Sequence, residues 1–104
     1  MANDRLRGHV DLLLLSVLER DHAHGYRLAE AVHERSEGAF DLPEGTIYPS
    51  LYRLERDGLV ASRWDRVDGR RRRVYRLTRR GTEALAHRRA EWRDFARAME
   101  AVVA

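Results

Sequence analysis

Three observations predict a mostly α-helical chain with one small β-hairpin. Apolar residues recur at helical spacing in three short segments before residue 58. The spacing then switches to alternation on either side of Asp68-Gly69. A last segment, 79–103, returns to helical spacing with apolar residues seven apart. Three short helices, a hairpin and a long helix make a winged helix-turn-helix over residues 1–78, with a C-terminal helix over 79–104, all in one structural unit. At 104 residues there is room for a single small domain, and a core of that size is marginal alone.

Residues 10–19 are almost continuously apolar, with Val10, Leu13, Leu14, Val17 and Leu18 in a helical stripe. Leu12 and Leu15 lie off that stripe, so this helix is expected to be covered on more than one side. Residues 21–25 read as a turn. A second helix follows over 25–35, with Leu28, Ala29 and Val32 inward. A third is expected over 44–57, with Ile47, Leu51 and Leu54 as its apolar stripe and Gly58 stopping it. Its opposite face carries Gly45, Pro49, Tyr52, Arg53 and Arg56, with Thr46 beside them and Tyr48 nearer the flank. Pro49 removes a backbone bond, so an irregularity is expected at 47–49.

Residues 59–66 alternate, with Val60, Ser62 and Trp64 on one side, and 73–78 read as the return strand with Tyr75 and Leu77 inward. Thr78 is placed to cap the last helix. There Leu85, Trp92 and Met99 form one row and Phe95 and Val102 a second, breached by Arg88. A fully helical 79–103 would span roughly 37 Å, too long to bury the whole row on its own core. Leu85, Trp92, Phe95, Met99 and Val102 are therefore expected to meet a second copy, with Leu12 or Leu15 as an extra partner.

Net charge is only +3, but its distribution is uneven. Residues 63–80 hold nine Arg against Asp65 and Asp68, while residues 1–62 hold seven Arg against eleven acids. All 20 basic residues are Arg. Arg suits planar, bidentate contact with phosphate and guanine. A GC-rich coding bias accounts equally for the absence of Lys, but not for the clustering.

The residues also resemble a known family. His24-Gly25-Tyr26-Arg27-Leu28 is similar to the HGYxL segment of the PadR family of bacterial transcriptional regulators. Gly45-Thr46-Ile47-Tyr48-Pro49-Ser50-Leu51-Tyr52-Arg53-Leu54-Glu55 with Gly58-Leu59-Val60 resembles its recognition-helix signature, and Tyr75-Arg76-Leu77-Thr78 with Gly81 its exit from the wing. Asp21-His22 stands where the family usually has Gly-Pro. The short tail resembles the compact subgroup with a single C-terminal dimerisation helix.

The resemblance implies a homodimeric repressor that reads an inverted repeat in double-stranded DNA, with Thr46, Tyr48, Pro49, Tyr52 and Arg53 in the major groove. Arg70, Arg71, Arg72 and Arg73 are expected on phosphates, and Tyr26 and Arg27 could touch them as well; Tyr26 reads equally as core. The resemblance further implies a cavity for a flat aromatic effector, which Trp92 and Phe95 would line. The competing class is a winged-helix protein-interaction module without DNA binding, which has no need of so basic a wing.

Other classes lack support. The longest apolar run, Leu12-Leu13-Leu14-Leu15, is far short of a membrane span. Asn3, Asp4, Arg5 and Arg7 lead into the first helix without the pattern of a signal peptide. With no cysteine, a reducing cytoplasm is the expected setting. His9, His22, His24, His33 and His87 show no metal-ligand spacing. No nucleophile turn or phosphate loop points to an enzyme, and no cofactor is called for.

Overall fold

The computed structural model describes Leu6 and residues 8–104; the reading of Asn3, Asp4, Arg5 and Arg7 lies outside the described residues. Six elements follow in order: α1 (Val10–Leu18), α2 (Gly25–Arg35), α3 (Glu44–Arg56), β1 (Val60–Val67), β2 (Arg70–Leu77) and α4 (Arg79–Val103).

The core gathers around α1. Leu14 and Leu15 are fully buried, against Leu28 and Val32 of α2, Ile47, Leu51 and Leu54 of α3, and Leu85 of α4. Each such Leu is worth about 1.5–3 kcal/mol of burial. Leu15, expected off the stripe, is therefore committed to the protomer's own core; of the two residues proposed as extra interface partners only Leu12 stays partly accessible. Leu85 is corrected likewise: at 1% exposure it needs no second chain. The first two turns of α4 lie over the core, so the uncovered row starts later.

Local chemistry explains the element ends. His24 caps α2, its Nδ1 accepting from the Arg27 amide at 3.3 Å. A Cβ on Gly25 would lie 2.6 Å from the Tyr48 ring, so any larger residue there would displace that side chain. Thr78 caps α4, accepting from the Gly81 amide at 3.0 Å and donating to the Gly58 carbonyl at 2.7 Å. A Cβ on Gly81 would fall 1.9 Å from the Leu59 carbonyl oxygen, so that glycine lets α4 settle on the start of the hairpin. α3 runs unbroken through Pro49, against the expected irregularity. Gly45 and Pro49 are both exposed, so the backbone bond that Pro49 cannot make is missing on the solvent side of the helix.

The hairpin is antiparallel, with Val67 opposite Arg70 across the two-residue turn Asp68-Gly69, both at positive φ. β2 thus begins at Arg70, three residues before the expected start. Val60, Ser62 and Trp64 share a face with their partners Leu77, Tyr75 and Arg73. Only the base of that face is buried; Trp64 is 54% exposed because the hairpin runs out past the helices. Asp21-His22 leads to Ala23, which bridges Tyr75 through a reciprocal pair of backbone hydrogen bonds of 3.1 and 2.8 Å. The segment ahead of α2 is therefore pinned to β2 by one isolated bridge and is not simply a turn.

Candidate nucleic-acid interface

Tyr26 joins three elements at one edge of the molecule. It is exposed, not core. The nearby carboxylate of Glu44, at the start of α3, holds its phenol above the ordinary pKa. The Arg72 guanidinium of β2 stacks over its ring, 5.4 Å from the centroid. Burial and the nearby Arg72 charge push His24 below the usual imidazole range, keeping its ring neutral and its Nδ1 able to cap. The starts of α2 and α3 and the wing consequently form one surface.

The base of the wing is tied to α3 as well. Ser62 donates to Glu55 at 2.6 Å, and the Arg73 guanidinium lies 2.7 Å from the Ser62 hydroxyl and 4.0 Å from Glu55. Arg71 and Arg73 stack on Trp64 at 5.1 and 5.4 Å. Trp64 was not a candidate from sequence. Its signal was available, however: its cross-strand partner is Arg73, and Arg71 lies diagonally opposite.

Tyr48, Pro49 and Tyr52 are exposed on α3, Tyr52 at 71%, and Thr46 is partly so. Arg53 differs from the helical-wheel expectation. Its guanidinium turns back to α1, 3.1 Å from Asp11, and also contacts the Ser50 hydroxyl at 3.3 Å. Arg27 pairs with Glu34 at 2.8 Å along α2, leaving its backbone amide on the His24 cap.

At the opposite end, Trp92, Phe95, Met99 and Val102 form an exposed apolar row on α4. Trp92 separates two clefts between α1 and α4. One, of about 470 Å³, includes His9, Asp11, Leu12, Arg88 and Phe95; the other, of about 420 Å³, includes Leu13, Phe40 and Arg89. Arg88 lies against Asp11 at 3.6 Å, and Arg89 pairs with Glu19 at 3.0 Å, which pulls that carboxyl below its ordinary range. Among the described residues no group of three metal-ligating side chains gathers, and no helix is long and apolar enough to cross a membrane.

A three-helix core with a hairpin packed beside its third helix defines the winged helix-turn-helix class. Residues 14–87 match the family described as the transcriptional regulator PadR-like family, and the chain belongs to it. It is 41% identical over 91 residues to the transcriptional regulator Rv3488 of Mycobacterium tuberculosis, covering 88% of this chain and 82% of that one. A PadR family transcription regulator from Clostridium difficile superposes with a TM-score of 0.81 at 37% identity, over 92% of this chain and 99% of that one. A transcriptional regulator from Clostridium thermocellum gives a TM-score of 0.85 at 27% identity, over 93% and 95%.

Proposed function

We propose that this chain is a homodimeric, sequence-specific DNA-binding repressor acting in the cytoplasm. The carrying observation is the Tyr26 junction, where Arg72 of the Arg-rich wing stacks at the start of α2 and Glu44 brings in the start of α3. In this reading α3 enters the major groove with Thr46, Tyr48, Pro49, Tyr52 and Arg53 toward the bases. Arg70, Arg71, Arg72 and Arg73 lie along phosphates, and Tyr26 and Arg27 meet the backbone beside them. The row Trp92, Phe95, Met99 and Val102 packs on its counterpart in a second copy, so two heads meet an inverted repeat with half-sites about one helical turn, or a multiple of it, apart. The clefts beside Trp92 are where a flat aromatic effector would sit, stacked on Trp92 with Phe95 at its edge.

The test is duplex DNA recovered by in vitro selection, compared with a scrambled duplex of equal length. Arg53→Ala should cost about 1–3 kcal/mol on the selected duplex and little on the scrambled one. Equal loss on both would make Arg53 a phosphate contact, and failure to select any sequence would overturn the reading.

A further inference from the structure

Arg53 is the arginine of the proposed reading set on α3, yet its fork is occupied. Both of its contacts, to Asp11 Oδ1 at 3.1 Å and to Ser50 Oγ at 3.3 Å, fall on Nη2. Nη2 belongs to either edge by which a guanidinium grips a guanine with two bonds, and its two hydrogens are both engaged. Ser50 is buried on α3 itself and cannot leave; Asp11 belongs to α1.

The Asp11 carboxylate has a second suitor. Its Oδ2 faces Arg88 of α4 at 3.6 Å, an ion-pair distance just beyond a hydrogen bond. Asp11 lines the cleft that holds Arg88, Trp92 and Phe95, and it also lines the groove on α3 with Thr46, Pro49 and Arg53. One carboxylate therefore forms the wall between the cleft and the α3 face, with a cation on each side.

We propose that Asp11 is a latch that holds Arg53 in a non-reading pose and moves to Arg88 when Arg53 turns to a base. Arg88 is already at ion-pair distance and can close on the carboxylate as Arg53 leaves, so the step strands no charge on Asp11 while Arg88 is available. Anything that occupies Arg88 from the cleft, such as a carboxylate-bearing molecule, leaves Asp11 on Arg53 and weakens reading. The inference rests on the proposed placement of α3 in the groove.

Selected and scrambled duplexes, titrated against four single variants and the doubles, provide the test, with circular dichroism to verify folding. Asp11→Asn should raise the ratio of selected to scrambled affinity about threefold or more, and Arg88→Gln should lower it by a similar factor. Both effects should vanish in the Arg53→Ala background. Arg88→Lys, which keeps the charge, should restore most of the parent ratio. If Asp11→Asn strengthens both duplexes equally, its role is only bulk charge and the latch is overturned. Effects that persist without Arg53 overturn it too. A ratio that falls in Arg53→Ala but ignores Asp11 and Arg88 removes the latch and keeps the reading face. A ratio that ignores Arg53 removes both.

Discussion

Trp64 and Trp92 are about equally exposed, at 54% and 46%, and their surroundings are opposite. Trp64 stands at the outer half of the hairpin between two guanidinium groups, those of Arg71 and Arg73. Trp92 stands on α4 in line with Phe95, Met99 and Val102, above the clefts against α1. A ring flanked by cations suits an anionic partner, because the cations still have donors to spare. A ring in an apolar row suits another apolar row, because nothing else removes that area from water. Equal exposure thus carries opposite meanings, and neighbours decide which applies.

The largest expected effect sharpens the boundary along α4. Leu85→Ala should destabilise the protomer by about 2–5 kcal/mol in denaturant titration, since it opens the core. Met99→Ala, on the same helical row, should leave protomer unfolding nearly unchanged once dissociation is accounted for. Comparable losses at both sites would mean that α4 is equally supported along its length.

Next in size is the loss of the second head. Phe95→Asp with Met99→Asp should sediment at half the parent's mass, keep its helical signal, and bind the selected duplex about a hundredfold or more weakly. A variant that stays dimeric would place the interface elsewhere.

At the wing, Arg71→Ala with Arg72→Ala should reduce the slope of log affinity against log salt by roughly two, in proportion to the phosphates released. Selected and scrambled duplexes should weaken alike. An unchanged slope would take these residues off the backbone.

The smallest effect belongs to the His24 cap, which lies between the two regions. Burial depresses its pKa, so the folded state prefers neutral imidazole. The cap's contribution is whole above the unfolded value near 6.5 and declines as pH falls toward the lower folded value. His24→Asn keeps a cap acceptor without titrating, so the parent's stability should fall relative to the variant's on acidification below about pH 6.5. Parallel pH profiles would contradict this.

The helix boundaries were legible because residues with local chemical duties mark them. Gly25 opens α2 and Thr78 caps α4, and both ends fall where the sequence puts them. The start of β2 was not legible in the apolar pattern, only in the turn. Arg70, Arg71, Arg72 and Arg73 offer no apolar alternation, and pairing there is dictated by the turn behind them. The Ala23 bridge is a single pair without periodicity. Leu85 was assigned to the outer row because a seven-residue repeat is blind to whether the protomer or a second copy covers it. Arg53 lies outward on a wheel, but its long side chain folds back to Asp11, 42 residues earlier, a partner no local pattern reveals. The exposed positions of Pro49 and Tyr52 followed directly from the helical period, whereas Tyr48, which the period puts nearer the flank, is exposed as well.

The chain has only two tryptophans, which makes the division between the two ends directly measurable. Trp92→Phe leaves Trp64 as the sole indole, and Trp64→Phe leaves Trp92. The account predicts that Trp64 emission changes on adding duplex DNA at protein concentrations that keep the dimer intact, and stays constant on dilution without DNA. Trp92 emission should do the reverse, shifting to the red as dilution exposes the row and ignoring DNA at high protein concentration. A Trp92 signal that answers to DNA while Trp64 stays silent would contradict the assignment of both ends.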